Sequence, residues 1–272
     1  MLALFREFIQ YPFMKYALLA VIMITPLLAM LGTMIVHKKM AYFSDALGHC
    51  ALTGIAIGVV FGMTDTSLSM IIFAVVFALL LNQIKFKNPS STDTIISVFA
   101  SVSLAIGLAI LSKGGNFSKY SSILVGDILS ISKLELFYLL ITLIFTIIFW
   151  CVAINGLTAV SIHPSLAKSH HIKTKLLENI FVVLIAVIVM LSIKWVGILL
   201  INALLILPAA ASRNISENMR EYHGYAILFA LVAGVLGLFS SYFTNVATGP
   251  MIVIIASIIY LVTYFYGLKH KI

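Results

Sequence analysis

The stretch Lys38-Lys39-Met40-Ala41-Tyr42-Phe43-Ser44-Asp45-Ala46-Leu47-Gly48-His49-Cys50-Ala51-Leu52-Thr53-Gly54-Ile55-Ala56-Ile57-Gly58 decides how the rest of the chain is read. Two lysines open it and an apolar run follows. Inside that run stand Asp45 and His49, four residues apart, which on a helix places them on one face, one turn above the other. Ionisable groups inside a hydrocarbon slab are expensive, and those kept there usually serve a pathway. A carboxylate oxygen and an imidazole nitrogen at this spacing can bind one divalent metal ion together. Gly54, Gly58 and Gly62 follow at intervals of four, the small-residue spacing that lets two membrane helices pack closely.

Composition extends this reading to the whole chain. Of 272 residues 62% are hydrophobic and 10% charged, and the mean hydropathy is +1.15, which excludes an ordinary soluble domain. The apolar runs are long and continuous, unlike the short alternating segments of a β-barrel. The fold class is therefore all-α, a polytopic helical membrane protein with about eight or nine transmembrane helices. The net charge of +8 sits in short connectors, so it reads as a topology signal and not as a nucleic-acid surface. No small-residue cleavage site follows the first apolar run, so no cleaved leader is expected. Cys50 and Cys151 both fall in apolar segments, which argues against a disulfide framework.

Outward from the opening stretch, an interfacial helix holding Arg6, Glu7 and Gln10 precedes a first span at about 16–36. The second span covers about 44–62, and further spans are expected at about 68–84, 94–111, 134–153, 177–193, 196–211, 225–243 and 250–266. Residues 114–133, with Asp127, form a loop or a re-entrant helix. With the loops at 37–39, 85–93, 155–175 and 213–221 and the C-terminus placed inside, eleven of the 17 Lys and Arg residues are cytoplasmic. This asymmetry puts the N-terminus outside and the C-terminus inside.

Other features carry weaker signals. Pro208 interrupts the hydrogen-bond ladder of its span and, with Asn202, reads as a gate or a helix kink; a kink satisfied by Ser212 or a neighbour is the alternative. The connector at 162–175 holds His163, His170 and His171 beside three lysines. A solvated basic loop is the preferred reading over a metal site, and a docking surface for a cytoplasmic partner fits either. Pro164 suits the first turn of a short helix there. No phosphate-binding Gly-x-x-x-x-Gly-Lys-Ser/Thr loop and no hydrolase triad is found, so the chain is not expected to be an enzyme. The Asp45–His49 pair does not complete a metal shell. A two-fold dimer would bring a second copy of both to one axis, making four ligands.

Met40-Ala41-Tyr42-Phe43-Ser44-Asp45-Ala46-Leu47-Gly48-His49-Cys50-Ala51-Leu52-Thr53-Gly54 resembles the second-helix motif of the ABC-3 family, the permeases of ATP-driven zinc, manganese and iron uptake systems. Val196-Gly197-Ile198-Leu199-Leu200 through Leu207-Pro208-Ala209-Ala210-Ala211-Ser212-Arg213 resembles the family's proline-containing helix. Val125-Gly126-Asp127-Ile128-Leu129 and Thr92-Asp93-Thr94-Ile95 also fit. The resemblance runs over nearly the whole chain as a single permease domain, 1–272, and is nearest to the zinc-uptake members. It implies a homodimeric permease in the bacterial inner membrane, two copies of a cytoplasmic ATPase that hydrolyses ATP, and a periplasmic or lipid-anchored metal-binding protein. It implies that Asp45 and His49 lie on the path of a transported Zn²⁺, with Mn²⁺ or Fe²⁺ as alternatives and no permanently bound cofactor. It also implies that residues 163–172 form the cytoplasmic coupling helix, with Pro164, Ser165, Leu166 and Ala167 facing the ATPase. The chain departs from the family pattern at Ser165, where an acidic residue is common, and at His170-His171, where Asp-Gly or similar is expected. A different class, an ion-coupled secondary transporter, would be expected to carry several buried charges or an inverted repeat, and no clear repeat is present.

Overall fold

A computed structural model of the chain describes residues 11–63, 65–87, 92–113, 126 and 128–270. The expected interfacial helix and Asp127 lie outside these residues. In order the helices are α1 (Pro12–His37), α2 (Ala41–Val60), α3 (Ser67–Lys87), α4 (Thr92–Lys113), α5 (Lys133–Ile162), α6 (Pro164–Ser169), α7 (Thr174–Val196), α8 (Ile198–Ile215), α9 (Met219–Thr244) and α10 (Thr248–His270), with a 3₁₀ turn at Ile128–Ser130. Among the described residues nine of these, all but α6, are long and apolar enough to cross a bilayer. In lipid a backbone must satisfy its own hydrogen bonds, and continuous helices do so.

Helix ends follow local chemistry. Asn218 accepts a hydrogen bond from the Glu221 amide while Glu221 bonds back to the Asn218 side chain and the Glu217 amide, so α9 starts on a reciprocal cap. Ser132 and Glu135 make the same arrangement at the start of α5. Asp65 accepts from the amide and hydroxyl of Ser67 at the start of α3.

The chain packs as two compact units. One contains α1 to Val36, α5 to Ile148 and everything from Trp195 onward; the other contains residues from His37 through α4, then Phe149 to Lys194. In the first unit Gly32 of α1 lies against the Leu205 backbone of α8, where any side chain would strike a carbonyl. Polar bonds then tie the ends of three helices together. The Tyr222 hydroxyl donates to the Thr33 carbonyl at 3.0 Å, the Ser212 hydroxyl donates to the Tyr222 carbonyl at 2.6 Å, and His223 Nδ1 meets Thr33 Oγ1 at 2.8 Å. The Thr33 hydroxyl donates to the Met30 carbonyl, which leaves His223 Nδ1–H as the donor in that last contact.

In the second unit α2 is the central helix. Gly54 rests on the Met70 backbone of α3, and Gly58 faces Ser69 and Thr66. On another side Gly107 of α4 meets the Thr53 backbone, and the Thr53 hydroxyl bonds the Ser103 carbonyl and hydroxyl. Gly54 and Gly58 therefore pack helices within one subunit. Gly62 does not pack a helix, contrary to expectation, because α2 has already ended. It takes φ +68° with open space around it, its amide bonds the Val59 carbonyl, and the Met63 amide bonds the Gly58 carbonyl. These are the two bonds of a Schellman cap with glycine in the left-handed position.

Candidate functional site

Most of α2 is covered by its neighbours. Ser44, Ala46, Leu47, Gly48 and Cys50 are all buried. Asp45 and His49 interrupt this cover, with side chains 53% and 39% exposed. Tyr42, three residues before Asp45, is exposed as well, so one strip of α2 carries a phenol, a carboxylate and an imidazole away from the protomer's core. Tyr42 was not singled out from sequence, although its i, i+3, i+7 relation to Asp45 and His49 was available as a signal.

His49 Nε2 stands 3.4 Å from Asp45 Oδ2. Two ligands about 2.1 Å from one tetrahedral ion lie about 3.4 Å apart, whereas neighbouring ligands of an octahedral ion lie about 3 Å apart. The 3.4 Å separation is that of an i, i+4 side-chain contact and also matches the spacing of two ligands on one tetrahedral ion. Among the described residues no cluster of three or more His, Cys, Asp or Glu could hold a metal. Within the described residues the pair supplies two donor atoms, on side chains that are both solvent-accessible.

Pro208 is buried inside α8, and the helix continues past it to Ile215. Ser212 does not serve the carbonyl freed by the proline, since its hydroxyl donates to Tyr222 of α9. Asn202 is half-buried one and a half turns before the proline, on the same helix.

Residues 163–172 contain a real but short helix, α6. Ser165 is exposed and Ala167 buried, and for Pro164 and Leu166 only the backbone is described. The His171 amide bonds the Lys168 carbonyl, the Ile172 amide bonds the Ala167 carbonyl, and His171 has φ +58°. This is a second Schellman cap, and His171 fills the left-handed position where the family pattern expects glycine. His163, His170 and His171 are exposed.

From sequence Lys38 was counted only as one of the connector cations that mark topology. In the structure its side chain is 4% exposed, its Nζ lies 3.1 Å from Glu178 Oε1 of α7, and it sits 5.8 Å from the centre of the Phe181 ring. A buried lysine needs such a partner because an uncompensated charge there is costly. Asp65, outside the spans, is held below the ordinary carboxylate range by the Ser67 hydroxyl and amide, with help from Lys194.

The chain is similar to known proteins over nearly its full length. It is 31% identical over 254 residues to the high-affinity zinc uptake system membrane protein ZnuB of Haemophilus influenzae, covering 92% of this chain and 95% of that one. It is 28% identical to the manganese import system permease protein ScaB of Streptococcus gordonii, covering 98% and 97%. Among solved structures, that of PsaBC from Streptococcus pneumoniae in complex with Fab superposes with a TM-score of 0.84 at 27% identity, covering 97% of this chain and 96% of that one. An inward-facing metal-chelate type ABC transporter shares the fold at a TM-score of 0.75 and 13% identity. Residues 10–267 match the family described as ABC 3 transport, and this chain belongs to it.

Proposed function

We propose that this chain is the membrane permease of an ATP-driven zinc importer, and that Asp45 and His49 form half of a transient site for the transported ion. The carrying observation is the 3.4 Å separation of Asp45 Oδ2 and His49 Nε2, on the open strip of an otherwise covered helix. The similarity to a zinc uptake protein supports the metal, and a divalent ion is the cargo rather than a resident group. The half-shell supports a homodimer in which two such strips meet on a two-fold axis. A transport site must release its ion, and a shell assembled from two protomers can be opened by separating them.

On this reading the permease lies in the bacterial plasma membrane, N-terminus outside and C-terminus inside, the orientation its lysine asymmetry favours. Two copies of a separate ATPase dock on α6, and an extracytoplasmic binding protein delivers the ion. The same scaffold supports manganese import as a second reading, favoured by the similarity to ScaB across 98% of this chain. Manganese prefers more oxygen ligands, which waters would have to supply here. Growth of a deletion strain complemented with this chain decides between them. Rescue under zinc limitation alone is expected, and rescue under manganese limitation alone overturns the assignment of the metal.

A further inference from the structure

The buried Lys38–Glu178 pair has no place in the ion path, yet its position is specific. Lys38 lies in the turn between α1 and α2, only Lys39 and Met40 separate it from α2, and Lys39 is held at φ +55°. Asp45 stands in the second turn of that helix. Lys38 is thus the near end of a short, stiff connection to the ion-binding strip. Glu178 stands in the second turn of α7.

Between α6 and α7 several backbone hydrogen bonds span the short connector. The Ala167 amide bonds the His163 carbonyl, Ile172 bonds back to Ala167, Thr174 bonds to Ile172, and Leu177 bonds to Lys173. A displacement of α6 therefore reaches the start of α7 without a flexible link to absorb it. From there the 3.1 Å contact between Glu178 and Lys38 joins opposite charges across to the turn that leads into the Asp45 helix. Its side chains are 15% and 4% exposed, and Phe181 of the same helix lies beside the lysine ammonium. A buried charge pair holds its geometry because separating the partners strands a charge. That is the property a mechanical joint needs.

We propose that Lys38 and Glu178 are positioning residues that transmit movement of α6 to α2, and so couple ATP hydrolysis to the geometry of Asp45 and His49. This rests on the reading of α6 as the ATPase docking helix. The test uses the complete complex of permease and ATPase in proteoliposomes, with metal uptake and ATP hydrolysis measured together. Two variants serve: Glu178→Gln, which keeps shape, and Lys38→Met with Glu178→Met, which removes both charges and leaves neither stranded.

The expected result is assembly at wild-type levels for the double methionine variant and, in both variants, ATP hydrolysis retained by the assembled complex and metal moved per ATP reduced about tenfold, within the range of a lost coupling contact. An unchanged ratio in either well-assembled variant overturns the proposal and leaves the pair a structural contact. Wild-type transport of manganese instead of zinc would overturn the metal assignment while leaving the variant-to-wild-type ratio meaningful. Loss of the ATPase from the otherwise wild-type complex when Ser165→Arg is introduced on the exposed face of α6 checks the docking reading separately; retention of the ATPase and of normal transport there overturns both that reading and the joint built on it.

Discussion

Replacing Asp45 with asparagine separates function from stability more cleanly than any other single change in this chain. The substitution keeps shape and removes the charge. The contact it weakens, 3.4 Å between side chains 53% and 39% exposed, is an open ion pair of the kind worth about 0–1 kcal/mol. No buried charge is stranded, because both side chains are well exposed. The variant should therefore insert at normal levels and lose no more than about 0.5 kcal/mol of stability. Transport should respond on another scale. Removing even a group that only supports a metal ligand costs about 10–100-fold, so losing a ligand should lower zinc uptake by at least about 100-fold. His49→Ala should behave alike. The assay is zinc uptake by a deletion strain carrying each variant, normalised to permease in the membrane, with thermal aggregation of the purified protein as the stability control. Uptake within about threefold of wild type at equal membrane levels would refute the reasoning, since no ligand loss is that small.

Other expectations are separable. Gly62→Ala should cost about 1 kcal/mol in thermal unfolding, because alanine resists the φ of +68° that caps α2; an unchanged midpoint would mean the cap is dispensable. His171→Gly should stabilise the end of α6 by about 0.5 kcal/mol through relief of its left-handed backbone, and a lower midpoint would show that the imidazole does something there. The lowered pKa of Asp65 means its cap on α3 contributes fully above the unfolded value of about 3.9 and is lost as pH falls through the lower folded value. Asp65→Asn should therefore flatten the acid end of the stability profile, and an identical profile would remove Asp65 from the account. A lone cysteine at Ser169, in a chain without Cys50 and Cys151, should resist an impermeant thiol reagent in intact cells; labelling from outside would invert the topology.

The spans were legible because each is a long apolar run, and hydrocarbon admits few other structures. Asp45 and His49 were legible because a spacing of four on a helix is a geometric statement by itself. Gly62 was misread because Gly54, Gly58 and Gly62 repeat identically whether or not the helix continues, and only the bonds from Gly62 and Met63 back to Val59 and Gly58 show where it stops. Lys38 looked like its neighbour Lys39, and its burial depends on Glu178, which stands far along the chain. The contacts among Thr33, Ser212, Tyr222 and His223 were hidden for the same reason, since local periodicity carries no information about which distant helix end a hydroxyl will meet.

The glycine contacts of α2 bear on how an ion could leave. Gly54 against Met70 and Gly107 against Thr53 bring backbones together with no side chain between them to act as a lubricant. Sliding α2 past α3 or α4 would drive main-chain atoms into one another, and rotating it about its own axis would turn bulkier residues into the same gaps. A helix seated in this way has almost no private motion. Any stroke that reshapes the strip carrying Asp45 and His49 must therefore carry α2, α3 and α4 along as a single moving part.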